Sequence, residues 1–137
     1  MKNRPSLAIA TFGALLGCSA LLSSAGAATP ASAVVAKYDK DSDKTLDLSE
    51  VKAAAAAHFD KLNKDSDSTL DSTEVKGIIG PAAFKAADPD NDGTLSKDEY
   101  LALVEKWFKK ADTDHDGTLD AKELSTKSGH QLRRLID

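Results

Sequence analysis

The sequence predicts an all-α fold, roughly a three-helix bundle with loops at both ends. Four 12-residue segments repeat one pattern and begin only 24 or 25 residues apart in the 137-residue chain. These loops 1 to 4 cover residues 39–50, 63–74, 88–99 and 112–123. Apolar residues between the loops recur at the three- and four-residue spacing of helices. Since only one helix fits between neighbouring loops, successive loops must share helices.

Two of the shared helices are predicted by long apolar stripes. The first stripe lies between loops 1 and 2 and contains five consecutive alanines, which have high helix propensity; it consists of Val51, Ala54, Ala55, His58, Phe59 and Leu62. The second, between loops 3 and 4, is heavier and consists of Tyr100, Leu101, Val104, Trp107, Phe108 and Ala111. After loop 4, a short helix is expected around Leu124. Gly129 follows it, and then a final apolar cluster that consists of Leu132, Leu135 and Ile136.

The segment between loops 2 and 3 is less regular. A helical pattern starts at Val75, Ile78 and Ile79 and resumes at Ala83, Phe84 and Ala87. Gly80 and Pro81 stand between the two parts, and proline suits the first turn of a helix but disrupts its interior. We therefore expect a break at Gly80, with two short helices as one outcome.

The loop spacing predicts how the loops are arranged. A helix of about 15 residues is about 20 Å long, so consecutive loops are expected at opposite ends of the helix they share. On this basis loop 1 should lie near loop 3, and loop 2 near loop 4. Leucines at loop position 8 would then supply short strand-like contacts between partners; they are Leu46, Leu70, Leu95 and Leu119.

The first 27 residues have the pattern of a secretory signal peptide. A basic start is followed by an apolar run over residues 7–22 and by a small-residue site that favours cleavage after Ala27. The apolar run is short for a membrane span. The alternative is a lipoprotein signal, because Leu15 to Gly17 before Cys18 resembles a lipobox. Either way we expect export, to the periplasm or beyond. A flexible lead-in at 28–36, with at most a short helix, should then precede one domain at 37–137.

Acidic residues are concentrated at particular loop positions. Of the 22 Asp and Glu residues, 18 occupy loop position 1, 3, 5, 9 or 12. Without Lys2 and Arg4, the chain has 16 basic and 22 acidic residues, a net charge of about −6. This balance disfavours nucleic acid as a partner, since phosphate contacts need clustered Lys and Arg. Alternating oxygen ligands in a tight loop instead indicate a site for a hard cation.

The candidate metal ligands occupy equivalent positions in all four loops, with Thr at position 7 offering its backbone carbonyl. In loop 1 they are Asp39, Asp41, Asp43, Thr45, Asp47 and Glu50. In loop 2 they are Asn63, Asp65, Asp67, Thr69, Asp71 and Glu74. In loop 3 they are Asp88, Asp90, Asp92, Thr94, Ser96 and Glu99. In loop 4 they are Asp112, Asp114, Asp116, Thr118, Asp120 and Glu123. This is the ligand spacing of an EF-hand, which ends in a bidentate Glu.

Position 6 ranks the loops, because it needs a sharp turn that glycine normally supplies. Gly93 and Gly117 meet this need in loops 3 and 4, whereas Lys44 and Ser68 do not. Loop 4 therefore combines the best backbone with five carboxylates, and loop 2, which also has Asn63 at position 1, is expected to be the weakest site. Each like-charge pair at ~4 Å costs about 4 kcal/mol at an effective dielectric near 20, so metal binding should order a loose apo protein.

No catalytic constellation is recognisable in the sequence. The pattern contains no Ser/His/Asp set and no phosphate-binding glycine loop. His58 and His130 have no partners at zinc spacing, and His115 at loop position 4 is expected to point into solvent. We therefore expect a protein that is not an enzyme.

Short loop spacing, four loops in about 110 residues and an export signal together resemble lanmodulin, a bacterial lanthanide-binding family. The resemblance is closest at residues 60–62, 88–95 with 99–101, and 116–124. It implies a periplasmic protein that binds trivalent rare-earth ions far more tightly than Ca²⁺ and becomes ordered on binding. Proline at position 2, typical of that family, is matched only by Pro89, and Asp at position 9 is replaced by Ser96 in loop 3.

The sequence therefore predicts a metal-binding protein whose ligand is lanthanide(III), Ca²⁺ or both. One alternative is a Ca²⁺ buffer or sensor with the same fold. A second is an adhesion or scaffold module whose Ca²⁺ loops hold a surface for a protein partner. Dockerins have similarly close loops, but they use two loops and usually Asp at position 12, where this chain has four Glu residues.

Overall fold

The computed structural model describes residues 30–137, which are mostly helical with two small antiparallel strand pairs. The predictions for residues 1–27, including the signal peptide and a lipid anchor at Cys18, lie outside the described residues. The α-helices are α1 Ala31–Tyr38, α2 Leu48–Leu62, α3 Pro81–Ala87, α4 Lys97–Ala111 and α5 Lys127–Ile136. The strands are β1 Leu46–Asp47, β2 Thr69–Asp71, β3 Thr94–Ser96 and β4 Thr118–Leu119, and a 3₁₀ turn covers Glu123–Ser125.

The long helices α2 and α4 pack against each other and against α5, which confirms the predicted all-α fold and its three-helix core. Both long helices have 15 residues, as their apolar stripes predict. The rings of Phe59 and Tyr100 meet edge to face, with centroids 5.6 Å apart, a favoured arrangement for aromatic pairs. Helix α5 completes the core through the apolar cluster at Leu132, Leu135 and Ile136, all of them buried.

Helix α1 lies over much of the range expected to be a flexible lead-in. Val34 and Val35 are buried on its inner face. Tyr38, its last residue, donates its hydroxyl to the backbone carbonyl of Ile136 at 2.7 Å. The lead-in is therefore a packed helix from Ala31 onwards, which fixes the entry into loop 1.

The segment between loops 2 and 3 is broken twice. Residues 72–79 form successive turns, and Gly77 adopts a left-handed φ of +85° that ends any regular helix there. Gly80 is then the N-cap of α3, and Pro81 is its first residue. The expected break at Gly80 is confirmed, whereas the part before it is a series of turns, and the two-helix outcome is wrong.

The expected pairing of loop 1 with loop 3 and of loop 2 with loop 4 is wrong. Strand β1 pairs with β4, so that Leu46 faces Leu119, and β2 pairs with β3, so that Leu70 faces Leu95. The 15-residue helices do separate loops 1 and 2 and loops 3 and 4. Between loops 2 and 3, however, the turns at 72–79 and the seven-residue α3 let the chain fold back, and these loops lie side by side.

The described chain repeats itself with a period of 49 residues, which relates its two halves. Loop 3 begins 49 residues after loop 1, and loop 4 begins 49 residues after loop 2. The same shift relates Gly80 to Gly129 and most of α3 to α5. Each half thus contains two loops joined by one long helix and followed by a glycine and a shorter helix. Across the halves, the outer loops pair with each other and the inner loops pair with each other.

Candidate metal centres

Each loop begins directly after a helix and ends in a capping arrangement that fixes positions 9 and 12. Asp47 accepts the backbone N–H of Glu50 at 2.7 Å, while Glu50 accepts the backbone N–H of Asp47 at 3.1 Å. Loop 3 does the same with Ser96 and Glu99. Because this reciprocal pair is a capping box that starts α2 and α4, the residues that begin these helices are also candidate metal ligands.

The Asp at position 5 and the Thr at position 7 close the middle of every loop. In loop 4, both the backbone N–H and the hydroxyl of Thr118 donate to Asp116 Oδ1, each at 2.8 Å. The Thr118 hydroxyl and N–H lower the pKa of Asp116, and the Thr69 N–H and hydroxyl do the same for Asp67. The equivalent pairs Asp43–Thr45 and Asp92–Thr94 have the same two hydrogen bonds. These contacts fix the position 5 carboxylate against the backbone of the same loop.

Every loop places residues in the left-handed region at positions 4 and 6. The position 4 residues have φ between +58° and +65°, and they are Ser42, Ser66, Asn91 and His115. At position 6, Gly93 and Gly117 have φ of +86° and +87°, while Lys44 and Ser68 are held at +71° and +74°. The requirement at position 4 was not predicted, although Asn91 and His115 gave a weak signal for it, since Asn and His tolerate this conformation better than most residues.

The residue at position 1 differs in an informative way between loops. Asp88 and Asp112 are buried, and each accepts the position 6 glycine N–H on Oδ2 at 3.1 and 3.2 Å. Their Oδ1 atoms are buried without a hydrogen-bond partner, as is Oδ1 of Asn63 in loop 2. A buried oxygen that accepts no hydrogen bond is costly unless a ligand satisfies it. The donor set of loops 3 and 4 therefore fits a hard cation.

In loop 1, the position 1 carboxylate is engaged by the backbone instead. Asp39 Oδ1 accepts the N–H of Ser42 at 2.6 Å, and Oδ2 accepts that of Lys44 at 2.9 Å. Burial opposes the effect of these donors, yet the N–H groups of Lys44 and Ser42 outweigh it and lower the pKa of Asp39. A cation entering loop 1 must therefore share Asp39 with two backbone donors.

The backbone N–H at position 2 also holds the carboxylate of the Glu at position 12. Glu50 Oε1 accepts the N–H of Lys40 at 2.6 Å, and the same contact is made at 2.8 Å by Lys64 to Glu74 and by Thr113 to Glu123. Pro89 has no N–H to donate, so this tether is absent from loop 3. The sequence showed Pro89 only as a point of resemblance, and its structural consequence was not foreseen.

In each of three loops, three carboxylates lie close together. Oxygen atoms that lie within 4.8 Å of one another are contributed by Asp39, Asp41 and Asp43 in loop 1, by Asp88, Asp90 and Glu99 in loop 3, and by Asp112, Asp114 and Glu123 in loop 4. Within the described part of the chain, loop 2 forms no such group. Loop 2, which the sequence ranks as the weakest site, therefore lacks the clustered negative charge that the other three loops have.

Crowding of carboxylates shows in the pKa values at position 3. The N–H of Asp92 lowers the pKa of Asp90, but contact with Asp88, burial and the nearby charges together raise it above its ordinary value. For Asp41, the N–H of Asp43 lowers the pKa, while burial and the charge of Asp43 outweigh it and raise the pKa overall. A bound cation would relieve this repulsion, because it places positive charge among the oxygens.

Comparison with known families agrees with this geometry. A family model described as EF hand matches residues 103–126, and one described as EF-hand domain pair matches residues 82–106. Together with the acidic clusters, these matches fit a metal-binding EF-hand protein. No curated protein matches the chain. Among residues 30–137, no helix is both long and apolar enough to cross a membrane.

Proposed function

We propose that this protein is a non-enzymatic, exported EF-hand protein that binds trivalent lanthanide ions more tightly than Ca²⁺ and becomes ordered on binding. The observation that carries the proposal is the clustering of three carboxylates within 4.8 Å in loops 1, 3 and 4. Counting all ligand positions, loops 1 and 4 each have five carboxylates and loop 3 has four. The Coulomb attraction of each carboxylate to a trivalent ion is half as large again as to a divalent one.

The residues that would hold the ion are those at positions 1, 3, 5, 9 and 12, with the carbonyl of the position 7 Thr. Hard oxygen ligands of this kind select cations such as Ca²⁺ and its larger-charge analogues over soft metals. The resemblance to lanmodulin supports export and the trivalent preference. The unsatisfied Oδ1 atoms of Asp88 and Asp112 support loops 3 and 4 as the tightest sites.

A Ca²⁺ buffer or sensor is the second candidate. It is favoured by the matches to general EF-hand models and by Ser96, which gives loop 3 one carboxylate fewer than loop 4. The hydroxyl of Ser96 also donates to Glu99 Oε2 at 2.8 Å, so a bound cation would share that oxygen with a hydrogen bond. Both features suit a divalent ion.

One pair of titrations separates the candidates. The apo protein is titrated with La³⁺ and with Ca²⁺ while far-UV circular dichroism reports helix formation, and terbium luminescence sensitised by Trp107 or Tyr100 reports filling of loops 3 and 4. We expect La³⁺ to act at far lower concentrations than Ca²⁺. Helix induction by both ions at similar concentrations would contradict the lanthanide proposal, and induction by neither would also contradict metal-coupled folding.

A reciprocal exchange at position 9 tests the physical reason for the preference. Ser96→Asp adds a carboxylate to loop 3, and Asp120→Ser removes one from loop 4. Both residues cap a helical turn by accepting the N–H of the position 12 Glu, so the exchange preserves the local fold. The La³⁺/Ca²⁺ affinity ratio should rise in the first variant and fall in the second. If neither ratio moves, charge at position 9 does not set selectivity.

A further inference from the structure

A solvent-open groove lies between the turns at 72–79, α3 and α5. Its volume is about 620 Å³. Val75, Ile78, Pro81 and Phe84 form its apolar lining, and Lys76 and Arg134 stand at its rim. Ile78 and Phe84 are only half-buried, while Pro81, Lys76 and Arg134 are exposed. This groove combines exposed apolar surface with two positive charges, and none of the candidate metal ligands lines it.

The groove exists because α3 is covered less completely than its counterpart in the other half. The 49-residue period relates α3 to α5, which buries Leu132, Leu135 and Ile136. Helix α3 buries no residue, and Phe84 is its largest side chain. An incompletely covered apolar face on one of two equivalent segments is the kind of surface that takes a binding partner.

Positive charge is concentrated outside the loops. Within residues 30–137, the segments outside loops 1 to 4 contain 11 Lys and Arg residues and only three Asp and Glu residues. The loops themselves contain 19 acidic and five basic residues. The protein is therefore a basic scaffold that holds acidic loops, and its net charge depends on whether those loops are neutralised.

Loading with trivalent ions would reverse the sign of the net charge. The described residues carry −6 without metal. Trivalent ions in the three loops with carboxylate clusters would bring the net charge to about +3, whereas divalent ions there would bring it to about zero. The long-range repulsion from an anionic surface in the apo state would thus disappear with divalent ions and would become an attraction with trivalent ions.

We propose that the groove between the turns at 72–79, α3 and α5 docks the protein onto an anionic phospholipid bilayer when the loops carry metal. Ile78, Pro81 and Phe84 would enter the headgroup region while Lys76 and Arg134 meet lipid phosphates, which is how peripheral proteins combine apolar and electrostatic attraction. Nucleic acid is a poorer fit, because its phosphate backbone would leave these apolar side chains in water. The metal dependence rests on the proposed function, whereas the groove does not.

Co-sedimentation with vesicles tests the proposal. The chain is loaded with one equivalent of La³⁺ per occupied loop, without excess that would bridge lipids, and is mixed with phosphatidylcholine vesicles with or without phosphatidylglycerol. We expect binding to be stronger to the vesicles with phosphatidylglycerol, and this extra binding to be weakened by added salt and lost with a chelator. Residues 1–29 are common to every sample, so each result is read as a difference in bound fraction between two samples that share them.

Matched variants locate the binding surface. Lys76→Gln with Arg134→Gln should weaken vesicle binding by about tenfold or more, since each basic residue near an anionic surface contributes substantially. Lys61→Gln with Lys106→Gln removes the same charge from exposed positions on α2 and α4 and should weaken binding less than threefold. Phe84→Ser should also weaken binding, and circular dichroism of each loaded variant checks that it folds.

Three results would overturn the proposal. Equal losses in the Lys76/Arg134 variant and in the Lys61/Lys106 variant would show general electrostatic attraction without a docking site. Equal binding with and without metal would remove the charge switch. Absence of binding in a sample that circular dichroism shows to be loaded would reject the bilayer as the occupant, in favour of another anionic partner such as an acidic peptide. If the dichroism titration itself shows no loading, the proposed function fails separately.

Discussion

The hydroxyl of Tyr100 donates a 2.9 Å hydrogen bond to the backbone carbonyl of Leu135, and both residues are buried. Tyr100 directly follows Glu99, the last candidate ligand of loop 3, and Leu135 lies in the final turn of α5, where carbonyls have no helical donor. Burial raises the pKa of Tyr100 well above its usual range. The end of α5 is thereby tied to the residue beside a candidate metal ligand, which links core packing to loop 3.

Tyr100→Phe should therefore destabilise the metal-loaded protein by about 1–2 kcal/mol, because the buried Leu135 carbonyl loses the hydrogen bond from the Tyr100 hydroxyl. Tyr38→Phe is the matched control. The Tyr38 hydroxyl also donates to a carbonyl of α5, that of Ile136, but this bond is only partly buried and water can replace it. Urea unfolding of the two loaded variants measures the difference. Equal losses would contradict a special role for the buried bond.

The strand pairs predict which loops respond to each other. Leu119 and Leu95 are fully buried, and truncating either to Ala should cost about 2–5 kcal/mol. Leu119→Ala should weaken metal binding by loop 1 as well as loop 4, whereas Leu95→Ala should weaken loops 2 and 3. Residue-resolved NMR during metal titration distinguishes these pairs. A Leu119→Ala variant that perturbs loop 2 while sparing loop 1 would contradict the observed pairing.

The reason that sequence predicted the helices but not this pairing lies between Ser72 and Pro81. The stripes of α2 and α4 are long and periodic, so each helix could be assigned from its own residues. Loop pairing depends on the direction of the chain after loop 2, which a single left-handed residue, Gly77, redirects before the expected break at Gly80. The sequence predicted the break at Gly80 but not that loops 2 and 3 would lie side by side. The direction in which the chain leaves a turn depends on tertiary packing, which the sequence pattern does not show.

The candidate ligands were likewise predictable, while the contacts that hold them were not. Alternating oxygen residues identify a cation loop from sequence alone. The tether from the Lys40 N–H to Glu50, and its absence at Pro89, depends on a backbone group that every residue except proline carries. Such backbone contacts leave no trace in side-chain patterns, and they become visible only once the loop geometry is known.

Loop 1 should gain affinity from a single change at position 6. Lys44 has φ +71°, a conformation that costs a residue with a side chain about 1–2 kcal/mol relative to glycine. If the loop becomes ordered on binding, Lys44→Gly removes this cost and a nearby positive charge. Terbium luminescence sensitised by Tyr38, which directly precedes loop 1, should then show about tenfold tighter binding to loop 1.

The reverse exchange, Gly117→Lys in loop 4, is the counterpart of this change. Gly117 has φ +87°, so a lysine there should adopt the same strained conformation and weaken loop 4 by a similar factor. If both variants bind terbium like the parent, backbone strain at position 6 does not limit affinity.

Glu105, which bridges α2 and α4, should stabilise the fold at neutral pH and lose this effect in acid. It accepts hydrogen bonds from Lys109 at 2.7 Å and Lys52 at 2.8 Å. These two contacts lower the pKa of Glu105 from 4.5 to about 2. Because the folded pKa is the lower one, the stabilisation is fully present above the unfolded pKa of 4.5 and is lost as the pH falls towards 2.

The comparison of Glu105→Gln with the parent measures this contribution. Both proteins are unfolded with urea in saturating metal at neutral pH and near pH 3. The variant should be less stable at neutral pH, and the difference should shrink in acid. Ligand carboxylates also titrate in this range, but they do so in both proteins and cancel. A difference that stays constant with pH would show that the two lysines do not stabilise the ionised carboxylate.

Gly80 and Gly129 occupy equivalent positions in the two halves but have opposite tolerance for a side chain. A Cβ at Gly129 would lie 2.3 Å from the backbone oxygen of Glu123 and 2.5 Å from Cα of Leu124. A Cβ at Gly80 would meet nothing within 4 Å, and Gly80 has an ordinary φ of −74°.

Gly129→Ala must therefore push α5 away from the 3₁₀ turn that contains Glu123, at a cost of about 1–3 kcal/mol or more. Gly80→Ala should change stability by less than about 1 kcal/mol, because the lower preference for Ala at an N-cap opposes the gain from a less flexible unfolded chain. Thermal unfolding of the loaded variants measures both effects, and terbium binding to loop 4 should weaken only in Gly129→Ala, since α5 supports Glu123 from behind. Equal behaviour of the two variants would show that close contact with α5 does not position this ligand.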